Sequence, residues 1–143
     1  MKKTIFLLSV SLFSIGLSAQ NPCDAKLSDR TQANIGKDAT YIQGMTGSEG
    51  TGRLEGGSFS MTLNEGVLYR FTTGSSELSQ VDVIVNLYYG FDKKFIKQQK
   101  VEPGKFANFE YRCEKTGTYV IRLSFKETGK SCVQILLSKV SKE

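Results

Sequence analysis

Histidine and tryptophan are absent from this 143-residue chain, and there are only two prolines and three cysteines. Without histidine, no Ser-His-Asp or Cys-His nucleophile system, His-bearing zinc site or histidine pH switch can be assembled from it. Zinc is further excluded because three cysteines do not supply the four ligands of a structural site. The scarcity of proline, with fourteen glycines in no triplet repeat, excludes a collagen, a Pro-rich linker and a mucin-like stalk. Long hydrophobic runs are missing too, save for the 13 residues from Ile5 to Leu17, which fall short of the about 20 that a membrane-spanning helix needs. What remains is 39% hydrophobic and 23% charged, enough for one globular domain.

Lys2 and Lys3 precede that apolar run and Leu17-Ser18-Ala19 close it, the pattern of a signal peptide over residues 1–19 cut before Gln20. A lipoprotein anchor would require a cysteine directly after the small residues, whereas Gln20, Asn21 and Pro22 separate Ala19 from Cys23. The chain is therefore expected to be exported, to the periplasm or beyond the cell, where cysteines meet an oxidising environment. The net charge of +5 is uneven: positions 20–92 hold five basic and nine acidic residues, and positions 93–143 hold twelve and five. That asymmetry could favour an acidic partner, but lysines on solvent-facing and edge positions are also the ordinary defence of a β-sheet.

After a polar segment at residues 20–38, with room for one helical turn or an arm laid over a sheet, the texture changes. The glycines between Gly44 and Gly57 read as a mobile loop, without the Lys-Ser/Thr ending of a phosphate cradle. Beyond it, alternation with period two takes over and no further helix is expected. Phe59, Met61 and Leu63, turned by Asn64-Glu65-Gly66 into Val67, Tyr69 and Phe71, read as a hairpin. Val81 to Tyr89 form the longest alternating set, a central strand. Phe95 and Ile96 lie in a lysine-rich edge strand, followed by a turn at Glu102-Pro103-Gly104. Phe106, Phe109 and Tyr111 continue the pattern. Tyr119, Ile121, Leu123 and Phe125 then alternate with Val120, Arg122, Ser124 and Lys126 and read as a hairpin with Cys132 to Lys139, through Glu127-Thr128-Gly129-Lys130. About eight short strands separated by turn signals predict an all-β, antiparallel β-sandwich, jelly-roll-like, over residues 39–143.

In that hairpin register Cys132 opposes about Phe125, while Cys113 lies at the far end, seven residues or about 23 Å away. A bridge needs Cα atoms within about 7 Å. The reading therefore disfavours a Cys113–Cys132 bridge and expects Cys23 to pair with Cys113 or with Cys132.

Three stretches resemble the bacterial pre-peptidase C-terminal (PPC) domain, a small β-sandwich. Gly66-Val67-Leu68-Tyr69-Arg70-Phe71 resembles its Gly-x-x-Tyr-x-Phe strand, Val85-Asn86-Leu87-Tyr88 its Asp-Leu-Tyr strand, and Lys115 to Arg122, with Gly117-Thr118-Tyr119, its Gly-Thr-Tyr strand. Together they span about residues 57–139. The resemblance implies a jelly-roll-like, mostly non-catalytic appendage of secreted or surface proteins, some of which bind calcium or polysaccharide. Here Asn86 and Ile84 stand where that family's central strand carries aspartates, so no metal and no other cofactor is expected. Independently of the family, Gly117 suits a corner with an unusual backbone angle, and Tyr119 can bury its ring while its hydroxyl reaches a partner.

Catalysis by paired carboxylates would have to come from Asp82, Glu102, Glu110 or Glu114, and no spacing singles any of them out. Tyr88, Tyr89 and Phe91, beside Gly90, form the one aromatic cluster able to present a platform to a sugar; adjacent strand residues point to opposite faces, so at least one ring must turn inward. Lys93, Lys94, Lys97 and Lys100 near Phe91 and Phe95 weakly resemble a nucleic-acid surface, which export argues against. The expectation is an exported, non-catalytic binding domain that associates with another envelope or extracellular component. The alternatives are a carbohydrate-binding module using the rings and a small hydrolase using two carboxylates.

Overall fold

The computed structural model describes residues 23–49, 55–90, 94–126 and 129–141; the leader at 1–19 and Phe91 lie outside them. The described residues form one short helix, α1 (Leu27–Ala33), and eight strands: β1 (Ala39–Glu49), β2 (Glu55–Leu63), β3 (Leu68–Ser75), β4 (Val83–Tyr89), β5 (Lys94–Val101), β6 (Phe106–Arg112), β7 (Gly117–Phe125) and β8 (Ser131–Val140). Two four-stranded sheets result, ordered β1-β8-β3-β6 and β2-β7-β4-β5, with every pairing antiparallel. The pairs β1·β8, β2·β7, β3·β6 and β4·β5 follow one another along a single folded ribbon and fall alternately in the two sheets, while β3·β8 and β4·β7 seal each sheet. This is the jelly-roll form of the sandwich.

The alternating apolar residues supply the interior. Val83, Val85 and Leu87 on β4 and Ile121 and Leu123 on β7 face Phe71 on β3 and Val133, Ile135 and Leu137 on β8, all within one buried cluster. Fully burying each such side chain contributes about 1.5–3 kcal/mol. β4 is an interior strand and β5 an edge strand, as their patterns imply.

Neither expected hairpin exists. β2 and β3 lie in opposite sheets, as do β7 and β8, and β4·β5 is the one pair of consecutive strands that lies side by side. Alternation specifies which side chains turn inward but not which strand lies alongside, and two inward-facing runs joined by a short turn can equally face each other across a core. The expected loop at 44–57 is also corrected: Gly44 and Gly47 belong to β1, Gly56 and Gly57 belong to β2, and residues 50–54 lie outside the described residues. Gly44 serves packing, since a Cβ there would come within 2.9 Å of both the Leu136 side chain and the Tyr41 hydroxyl. Gly117 has no positive φ. What it meets instead is close approach: a Cβ there would sit 3.1 Å from the Tyr89 ring, which would have to give by a few tenths of an ångström.

The polar N-terminal segment proves to contain a helix of seven residues. Leu27, Thr31 and Ile35, each four residues apart, are buried, and the Thr31 hydroxyl donates to the Leu27 carbonyl at 2.6 Å. This strap packs against β3 and β8 on the outer face of their sheet. At its start Cys23 is bridged to Cys132, with Cα atoms 5.0 Å apart; Cys113 is free and buried. Cys113 follows β6 at the end of the sheet where Arg112 is level with Leu68 and Tyr69 with Lys139, whereas Cys132 lies at the opposite end of β8. The two are therefore remote for a reason other than a shared hairpin. At the far end of the strap Arg70 donates to the Ile35 carbonyl and to Asp38 Oδ1, both at 2.6 Å, and to Glu110 at 2.5 Å. Between them, Arg30 joins Asp24 at 2.9 Å and Glu77 at 2.6 Å.

Candidate binding face

The strap makes the two outer faces of the sandwich unequal. Outward residues of β8 and β3 such as Leu136, Ser138 and Thr72 are buried. The outer face of the β2-β7-β4-β5 sheet has no comparable cover among the described residues.

Tyr88 projects from that second face, and its surroundings follow from strand register. Its partner on β5 is Phe95, after a one-residue shift of register between Leu87 and Tyr88, and its partner on β7 is Val120. The Tyr88 and Phe95 rings meet edge to face with centroids 5.9 Å apart, a favourable quadrupole geometry. The Arg122 guanidinium carbon lies 5.8 Å from the Tyr88 centroid, within cation–π range. Two residues back along β4, the Asn86 amide donates weakly to the Arg122 carbonyl at 3.4 Å and to Ser124 Oγ at 3.3 Å. Phe95 is 53% exposed, and Gln98, level with Asn86, is exposed as well. The composite is one open ring backed by a second, flanked by amides and a guanidinium.

The aromatic trio expected from the sequence is therefore divided. Tyr89 points the other way, packing edge to face on the buried Tyr119 ring at 5.1 Å with the Lys115 ammonium 5.6 Å from its centroid. Phe91 lies outside the described residues. Phe95 and Arg122 become neighbours of Tyr88 only through β4·β5 and β4·β7 pairing, whereas Asn86 shares its face from two residues back along β4 itself.

Tyr119 closes the end of the core. Its hydroxyl donates to the Lys115 carbonyl at 2.6 Å and lies 3.4 Å from both Cys113 Sγ and the Tyr111 hydroxyl. Burial, with the hydrogen bonds and charges of Cys113 and Tyr111 adding to it, pushes this phenol well above the ordinary tyrosine range.

The carboxylates do not form an acid/base pair. Asp82 precedes β4, and Glu102 and Glu114 occupy separate turns. Glu110 meets Asp38 on a single guanidinium, that of Arg70, which donates to both. Among the described residues no group of three or more His, Cys, Asp or Glu could hold a metal ion.

No protein-family model and no curated protein matches the sequence. Solved structures do. One described as "CBM4 structure and function" is 13% identical, covering 87% of this chain and 92% of its own, with a TM-score of 0.49. A Clostridium thermocellum xylanase structure containing a CBM22 and a GH10 module, complexed with xylohexaose, is 12% identical over 76% of this chain and 26% of its own, at a TM-score of 0.47. A de novo designed double-stranded β-helix is 10% identical over 67% of this chain and 99% of its own, at 0.39.

Proposed function

We propose that this chain is an exported, non-catalytic recognition domain whose outer β2-β7-β4-β5 face binds a polysaccharide. The observation that carries this reading is the Tyr88–Phe95 ring pair on the face that the strap leaves open, with Asn86, Gln98 and Arg122 beside it. A pyranose ring offers an apolar C–H face and a rim of hydroxyls, and it needs a flat ring to stack on with donors and acceptors around it. Phe95 supplies the ring, and the amides with Ser58, Ser60 and Ser124 on β2 and β7 supply the polar groups. The apolar area is small: besides Phe95, no large hydrophobic on the described part of this face is exposed. A protein interface of ordinary size wants about 800 Å² per partner with an apolar centre, so the face suits a narrow glycan chain better. Export is supported by the leader-like N-terminus and by the Cys23–Cys132 bridge, which forms and persists in oxidising compartments.

Affinity electrophoresis against a panel of soluble polysaccharides tests the site. Retardation of the native protein by at least one glycan is expected, with about a tenfold or greater loss of affinity in Tyr88→Ala and in Phe95→Ala, as for removal of one stacking ring. Retention undiminished in the double variant, or no retention by any glycan, would refute the reading. In the second case, recovery of an envelope protein by the same native chain would favour the broader role of association with another component.

A further inference from the structure

Among the described residues four strands, β1, β2, β5 and β6, form the sheet edges, and they are protected very differently. β5 is flanked by exposed Lys94, Lys97 and Lys100, and Lys97 reaches across to donate to the backbone carbonyl of Glu110 on β6, the other edge on that side, at 3.2 Å. β6 itself carries Glu110 and Arg112. Charged residues, lysine above all, are the usual means of preventing edge-to-edge pairing. On the opposite side of the sandwich β1 is an edge of eleven residues, and none from Ala39 to Ser48 carries a charge at neutral pH. It breaks register once, between Tyr41 and Gln43, and then runs without interruption from Gln43 to Glu49 against β8. Tyr41 and Ile42, at 49% and 47% exposure, are two of the four large hydrophobics exposed among the described residues. β2, the neighbouring edge, is also uncharged from Gly56 to Leu63 but exposes no such side chain.

We infer that β1 pairs antiparallel with β1 of a second copy of this chain, joining the two β1-β8-β3-β6 sheets into one eight-stranded sheet across a two-fold axis. This inference goes beyond the proposed glycan site and does not depend on it. A second copy is the occupant that the charge distribution selects. The chain has a net charge of +5, or +3 without Lys2 and Lys3 of the leader, so two copies avoid close like-charge contacts only where they meet along a segment that carries no charge. In any antiparallel register that overlaps positions 39–48, every residue opposes an uncharged one. A strand edge is also self-complementary under two-fold rotation, since its outward N–H and C=O groups alternate. The association leaves the Tyr88–Phe95 face of each copy open, because that face belongs to the other sheet.

The test is sedimentation velocity of the purified chain across about a hundredfold range of concentration, repeated with Ile42→Lys, Thr46→Lys, Gln98→Lys on β5 and Ser60→Lys on β2. The expected result is a concentration-dependent dimer whose dissociation constant rises about tenfold or more in the two β1 variants, where each lysine is repeated across the axis. Gln98→Lys and Ser60→Lys should leave it unchanged. Hydrogen exchange of the native chain avoids dependence on any variant's folding: amides between Gln43 and Ser48 should gain protection as concentration rises. A monomer at all concentrations, a dimer that responds to Ser60→Lys and not to the β1 lysines, or β1 amides whose exchange ignores concentration would each overturn the inference.

Discussion

Replacing Cys23 by serine asks how much the domain depends on anchoring its strap. The bridge spans 109 residues of sequence, and for a loop of that length the chain-entropy relation gives about 4.8 kcal/mol of stabilisation at 25 °C, by restricting the unfolded ensemble. Observed losses on removing native bridges run somewhat lower, so we expect a loss of about 3–5 kcal/mol and a fall in Tm of roughly 15 °C. With no tryptophan in the chain, urea unfolding is best followed by far-ultraviolet circular dichroism together with tyrosine fluorescence. The m-value separates two outcomes. If the bridge acts only on the unfolded chain, Leu27 and Ile35 stay buried and the native fold exposes the same surface on unfolding apart from any expansion of the denatured state. If the strap detaches, each of those side chains forfeits about 1.5–3 kcal/mol of burial, the folded variant starts from a more exposed state, and m falls. A loss under about 1 kcal/mol with an unchanged m-value would refute the claim that the bridge carries a substantial share of the stability.

Two further predictions concern ionisation and buried hydrogen bonding. For Asp24, burial acts to raise the pKa but is outweighed by the Ser76 hydroxyl, the Arg30 charge and the backbone N–H groups of Lys26 and Glu77, so the carboxyl sits below its ordinary value of 3.8. Its contribution is then present above pH 3.8 and is lost as pH falls through the lower folded value. Asp24→Asn should cost about 1–2 kcal/mol at neutral pH, and the gap from the native chain should close in acid; a gap constant down to pH about 2 would contradict the assignment. Tyr119→Phe should lose about 1–2 kcal/mol at neutral pH through the unpaired Lys115 carbonyl. Because the folded phenol titrates above its unfolded value of 10.0, the native chain's advantage is full below that pH and declines above it. Stability curves of the two that stay parallel through alkaline pH would count against the buried, neutral hydroxyl.

Some structure was legible locally. The inward positions of β4 and β7 follow from strict alternation: Val83, Val85, Leu87, Tyr119, Ile121, Leu123 and Phe125 are buried as the pattern names them, while Asn86 and Val120 are buried on the outer face as well. The strap helix also left a trace, in the spacing of Leu27, Thr31 and Ile35, but aspartates and asparagine around it masked a stripe of two apolar residues and a threonine, which is sufficient because the helix covers only part of one sheet. The candidate site was half legible. Tyr88 could be named, yet Tyr89 belongs to the core end, and Phe95 and Arg122 join Tyr88 from strands on either side of β4.

The amino-acid order by itself determined the strand character of the alternating runs from Phe59 onward, the exclusion of histidine chemistry and the export-like leader. Those properties reside in single residues or in neighbours two apart, where pleat geometry leaves little choice. The tertiary structure alone decided which strands lie side by side, that the chain crosses to the other sheet after β2 and after β7 instead of turning back in hairpins, and that among the described residues one outer face is covered while the other is open. Such choices depend on contacts between residues dozens of positions apart. An alternating run presents the same apolar face to any partner sheet, so only the packing of the whole chain selects among them.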